Sequence, residues 1–112
     1  MMKLIIAIVQ DEDASRLVNQ LMKNGYGVTK LATTGGFLRA GNTTLLIGVD
    51  DDKLHSVMEI IEHVCKSRKQ ITSAPSAMGS MGGMHGAASY PVEVTVGGAT
   101  VFVMSVDQFV KL

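Results

Sequence analysis

The chain has one cysteine, no tryptophan and no excess of charge of either sign. Each shortage removes a class of function. The lone Cys65 cannot close an intrachain disulfide, which fits a reducing, cytoplasmic setting. Ten basic side chains balance ten acidic ones, for a formal net charge of +0. No global basic field therefore draws in DNA or RNA, and nucleic acid is not an expected partner. No apolar run is long enough to span a bilayer, so a membrane is not expected either. The opening Met1-Met2-Lys3-Leu4-Ile5-Ile6-Ala7-Ile8-Val9 is apolar but short. Gln10-Asp11-Glu12-Asp13 follows it where an export signal would carry a small-residue cleavage site, so no such signal is expected. A phosphate-binding Gly-Lys-Ser or Gly-Lys-Thr loop is absent. No Ser-His-Asp or Cys-His arrangement stands out, and no catalytic residue is expected.

What remains is a 112-residue chain, enough for one domain over residues 1–112. Its 46% hydrophobic content argues against general disorder. Leu4 to Val9 reads as a buried strand. Asp11, Glu12 and Asp13 suit a helix N-terminus, and Leu17, Val18, Leu21 and Met22 recur at helical spacing. Asn24-Gly25 stops that helix. Val28 to Thr34 is a second strand and Thr43 to Val49 a third. Asp50, Asp51 and Asp52 open a second helix, with Leu54, Val57, Met58, Ile61, Val64 and Cys65 as its apolar stripe. Lys66, Arg68 and Lys69 are expected at its C-terminal end, where the helix dipole favours cations.

Ser73 to Ser89 breaks the composition. It is rich in Ser, Ala, Gly and Met and reads as a long, flexible loop. Val92-Glu93-Val94-Thr95-Val96 alternates as a strand, Gly97-Gly98 signals a hairpin turn, and Ala99 to Val106 is the last strand. The order predicts an α+β fold: a ferredoxin-like βαββαβ sandwich with an extra β-hairpin strand and a long loop before the last strand.

Such a sheet carries both helices on one face, and the other face normally alternates to polar residues. Here Leu4 to Val9, Leu45-Leu46-Ile47 and Val101-Phe102-Val103-Met104 are apolar on both faces. An apolar face of that size predicts symmetric self-association.

The run from Thr33 to Thr44 concentrates glycines, hydroxyls, Arg39, Asn42 and the pair Phe37-Leu38. Glycines let backbone N–H groups converge on an anion. Thr hydroxyls and a guanidinium bind phosphate oxygens, and Phe37 with Leu38 offers a surface for a base. The combination points to a nucleotide; the alternative is a hairpin loop whose Phe and Leu plug the fold.

Lys30 to Thr44, with Tyr90-Pro91-Val92-Glu93-Val94, Val96 to Met104 and Ile6 to Asp11, resembles the PII-like cyclic di-AMP receptor family. That resemblance implies a cytoplasmic, non-catalytic homotrimer of ferredoxin-like subunits with cyclic di-AMP in each cleft between subunits. It implies ligand contacts from Thr29, Gly36, Phe37, Leu38, Arg39, Asn42 and Gly48, no further cofactor, and a downstream protein target read through the 73–89 loop. The chain departs from the family's usual pattern at Gly25 and at Gly27, where a basic residue is common. Alternatives are a PII-type ATP or ADP sensor and a CutA-like copper-responsive trimer. Copper would use Met78, Met81, Met84 and His85, since thioethers and imidazole suit Cu(I). Such Met-rich loops are more often adaptable than metallated, so no metal ligand is assigned. His55, Glu59 and His63 share one helix face and read as a solvated surface.

Overall fold

Strand β1 (Met2–Gln10) is the centre of a four-stranded antiparallel sheet. The structure, a computed structural model, describes residues 1–31, 41–75 and 89–112. The sheet order is β2 (Val28–Lys30), β3 (Asn42–Asp50), β1 and β6 (Ala99–Ser105). Helices α1 (Asp11–Lys23) and α2 (Asp51–Cys65) supply the other layer. This is the ferredoxin-like arrangement, with β6 in the fourth strand's place. Contacts divide the chain into two compact units, one of residues 1–66 and 97–112 and one of residues 67–96.

Alternation along β1 sorts the first unit's side chains. Ile5, Ala7 and Val9 are buried with Leu45, Ile47 and Val49 of β3. Leu17 and Leu21 of α1 and Val57, Ile61, Val64 and Cys65 of α2 close over them. Burial of each large aliphatic chain contributes roughly 1.5–3 kcal/mol. Both helices begin on aspartates, as the helix dipole favours, and the chain leaves α1 through Asn24 and Gly25, whose φ of 87° few other residues adopt without strain. Arg16 joins the two helices: its guanidinium donates to the buried Asp13 carboxylate at 3.1 Å and to the Val64 carbonyl at 3.0 Å.

The second unit holds β4 (Arg68–Pro75) and β5 (Ser89–Val96), paired antiparallel from Arg68↔Val96 to Pro75↔Ser89. Val92, Val94 and Val96 are half-buried while Glu93 and Thr95 are exposed, as the sequence alternation predicts. Three expectations are corrected here. Helix α2 ends at Cys65, so Arg68 and Lys69 belong to β4 rather than to a helix terminus; Lys69 Nζ lies 3.5 Å from Glu93 Oε1 in that ladder. Residues 73–75 and 89, expected in the loop, are strand; the remainder of that loop lies outside the described residues. Gly97-Gly98 is not the turn of a β5–β6 hairpin, because β5 pairs with β4 and β6 with β1. The physical reason is patterning. β6 is apolar on successive residues and fits beside the central strand, whereas β5 alternates and needs cover on one face only.

Leu21 is fully buried between α1 and the sheet. Leu21→Ala should lower unfolding free energy by roughly 2–5 kcal/mol, the cost of a large-to-small core change, read as a shift of the urea midpoint with little change in slope.

Candidate functional site

The face of the sheet turned away from the helices is built in rows. Strand register sets Thr29, Leu46, Ile6 and Phe102 side by side. The next row is Gly48, Leu4 and Met104, and extending the β2–β3 register by one residue puts Gly27 opposite Gly48. On the other side lie Thr44, Ile8 and Thr100, then Asn42 and Gln10. Leu4, Ile6, Ile8 and Leu46 are half-buried, whereas Phe102 is 52% and Met104 46% exposed. The middle of the face is apolar, one end is amide-rich and the β2 edge is glycine-floored.

The amide-rich end is held by a set of short-range bonds. The Asp11 N–H donates to the Gly41 carbonyl at 2.8 Å, and the Thr43 hydroxyl donates to the Asp11 carboxylate. These bonds fix the start of β3, and with it Asn42, against the β1–α1 junction. The Gln10 Oε1 accepts the Gly97 N–H at 2.8 Å, and the Gly98 N–H donates to the Cys65 carbonyl. Between them opens a cleft of about 260 Å³ lined by Ile8, Gln10, Asn42, Gly97, Gly98, Ala99 and Thr100. Amide, hydroxyl and apolar groups around one hollow suit a ligand that has both ring faces and hydrogen-bonding edges. One row away, the Thr44 hydroxyl is buried with no hydrogen-bond partner among the described residues.

The β2 edge has a different character. Gly48 sits inside a strand, and a Cβ built there would meet nothing within 4 Å; the same holds for Gly27. Neither has the positive φ that demands glycine. Glycine in a strand costs roughly 0.5–1 kcal/mol, and no close packing among the described residues explains the pair. Two facing glycines beside the exposed Thr29 make a flat backbone floor, suited to close approach by another molecule.

Of the residues expected to bind ligand, Asn42 lines the cleft, while Thr29 and Gly48 sit together at the β2 edge. Asn42 and Gly48 lie on the same face about 20 Å apart along β3, so no single pocket of one subunit holds both. Gly36, Phe37, Leu38 and Arg39 lie outside the described residues, as do Met78, Met81, Met84 and His85. The sequence reading missed Gln10 and Thr100 as lining residues. Their signal was available only in part: Gln10 is the polar end of an apolar strand, but its partners depend on pairing with β3 and β6. Among the described residues no cluster of His, Cys, Asp and Glu fits a metal. His55 and Glu59 form an exposed pair at 2.7 Å on α2, and Glu59 and His63 line a separate open hollow with Gln20, Ile60 and Val64. No helix among the described residues is long and apolar enough to cross a membrane.

Comparison with solved structures places the fold. A protein of unknown function from Pediococcus pentosaceus shares 41% identity over 99% of this chain and 97% of its own, with a TM-score of 0.77. A DUF3240 family protein from Shewanella baltica superposes at a TM-score of 0.53 with 13% identity, covering 99% and 96% of the two chains. The PII protein of Arabidopsis thaliana, solved with citrate, superposes at 0.53 with 18% identity, covering 94% of this chain and 77% of that one. The last two are likenesses of fold alone, and they agree with the βαββαβ core. At the level of sequence, the model of the cyclic-di-AMP receptor family matches residues 2–112, and the chain belongs to that family.

Proposed function

We propose that this protein is a non-catalytic, cytoplasmic receptor that binds cyclic di-AMP in the clefts between the subunits of a homotrimer. The observation that carries the reading is the family match over residues 2–112. The proposed contacts are Thr29, Gly36, Phe37, Leu38, Arg39, Asn42 and Gly48, with no further cofactor. Asn42 supplies an amide at one end of the open sheet face, and Gly48 supplies a bare floor at the other end. A cleft between neighbouring subunits gives such separated patches a way to face one ligand. The 73–89 segment signals ligand occupancy to a downstream protein target.

The trimer is supported by the apolar rows through Leu4, Ile6, Ile8, Leu46, Phe102 and Met104, which the helices do not cover. Cyclic symmetry buries the same patch on each copy. Light scattering at micromolar concentration should report three times the 11.9 kDa chain mass. A stable monomer would overturn the quaternary arrangement.

Calorimetry with cyclic di-AMP, cyclic di-GMP, ATP and Cu(I) tests the ligand. Adenine offers an exocyclic amine donor where guanine offers a carbonyl acceptor, so a site with acceptors at that edge rejects guanine. Equal affinity for cyclic di-GMP would count against the reading, and preference for ATP or Cu(I) would replace it. Asn42→Ala should weaken cyclic di-AMP binding by roughly 1–3 kcal/mol through unpaired polar groups. Gly48→Ala separates fold from function. Its Cβ meets nothing within 4 Å among the described residues, so the thermal midpoint should hold or rise, while affinity falls about tenfold or more, some 1.4 kcal/mol, as the methyl stands in the ligand's path. Undiminished affinity in Gly48→Ala would remove that residue from the site.

A further inference from the structure

Gln10 stands at a junction that neither the family match nor the expected ligand contacts assign. Its backbone pairs with Asn42, and its side chain accepts the Gly97 N–H at 2.8 Å. A backbone N–H only donates, so the atom facing it is the carboxamide oxygen, which orients the amide. Gly97 and Gly98 are the first residues after the 67–96 unit, with φ of 84° and 93°. The Gly98 N–H donates to the carbonyl of Cys65, one residue short of that unit's other boundary. Entry to and exit from the β4–β5 unit are thus pinned at one neck. Gln10 is the side chain that ties the exit to β1. Gln10, Asn42, Gly97 and Gly98 also line one cleft.

We propose that Gln10 is a positioning residue that transmits ligand occupancy at the Asn42 cleft to the neck of the β4–β5 unit. The proposal rests on the reading of Asn42 as a cyclic di-AMP contact. A carboxamide has one oxygen and one NH2 group. With the oxygen engaged by Gly97, the N–H edge is left for a ligand acceptor, a phosphate oxygen or an adenine ring nitrogen. A ligand that accepts from this edge favours the rotamer in which Gly97 is held. It therefore binds the pinned neck more tightly than the released one and shifts the population toward it. Two consecutive positive-φ glycines are the residues best able to absorb the backbone change between the two states.

Hydrogen exchange on the full chain, with and without saturating cyclic di-AMP, tests this in wild type, Gln10→Ala and Gln10→Glu. Glutamate keeps an oxygen for Gly97 but has no N–H to offer a ligand. Without ligand, Gln10→Ala should exchange at least tenfold faster across residues 67–98, with β1 and β3 unchanged, while Gln10→Glu matches wild type. With ligand, exchange across 67–98 should slow in wild type and not respond in either variant. Gln10→Ala should bind cyclic di-AMP within tenfold of wild type by calorimetry. Wild-type exchange in ligand-free Gln10→Ala would overturn the pin. A full ligand response in Gln10→Glu would overturn the transmission. Loss of more than a hundredfold in affinity in Gln10→Ala would make Gln10 a principal ligand contact and overturn the positioning role. If wild type binds no cyclic di-AMP, the receptor reading and the transmission fall together, and the ligand-free comparison still decides the pin. Should Gln10→Ala not fold, Gln10→Leu, which also offers Gly97 no acceptor, carries the pin, and Gln10→Glu still carries the transmission.

Discussion

Strand β1 is apolar on both faces, and two helices cover only one of them. Most of the architecture follows from that mismatch. A central strand with two apolar faces needs neighbours on both edges, and β3 and β6 fill them, each apolar on consecutive residues. The helix-facing set becomes the core. The opposite set, from Leu4 to Phe102 and Met104, is left uncovered by the two helices, and association of subunits would bury it. The proposed self-association thus draws on the same hydrophobic pattern that forms the sheet.

The open face is not uniformly apolar, and its exceptions are where the proposed ligand chemistry lies. Asn42 and Gln10 cap one end of the rows, and Gly27 and Gly48 floor the β2 edge at the other. Each exception works against folding in isolation. Glycines weaken a strand, and amides at a strand end need partners. Gln10 has one in Gly97; a side chain at Gly48 would meet nothing within 4 Å among the described residues. Costs without an evident internal return are what a surface reserved for a second molecule looks like, and they set this face apart from the helix-facing side of the sheet, where Ile5, Ala7, Val9, Leu45 and Ile47 are buried in the core.

Much of this was legible in the sequence because it depends on local periodicity. The apolar run at β1, the aspartates opening both helices, the Asn24-Gly25 stop and the two-faced apolar strands all express local rules, and each lies where the sequence puts it. The misreadings came from pairing. Arg68 and Lys69 looked like cations at a helix end because charge near a helix terminus is a local signal. Their true place in β4 depends on Val92–Val96 lying opposite, more than twenty residues away in sequence. Gly97-Gly98 satisfies the chemistry of a tight hairpin, and only competition between β4 and β6 for partners decides otherwise. Gln10 and Thr100 were illegible as cleft residues for the same reason: a register joins them, and no motif does. The glycine loop that carries the strongest nucleotide signal in the sequence lies outside the described residues, so its reading rests on the family match.

The hydrogen bond from the Gly98 N–H to the Cys65 carbonyl brings together, within the first unit, the two chain positions that flank residues 67–96. The entropy of closing a loop grows only logarithmically with its length, about 0.6 kcal/mol for each doubling. That bond and the one from the Gly97 N–H to Gln10 hold the closing point within the first unit itself. A two-stranded ladder such as β4–β5 is marginal alone, so its order is set by small energies of the size that one hydrogen bond supplies. The first unit is the opposite case, with its core strands and helices locked by buried aliphatic side chains. The proposed transmission uses that contrast: the two positive-φ glycines follow directly on the ladder in sequence, and the hydrogen bond from the Gly97 N–H to Gln10 lies at the cleft that holds Asn42.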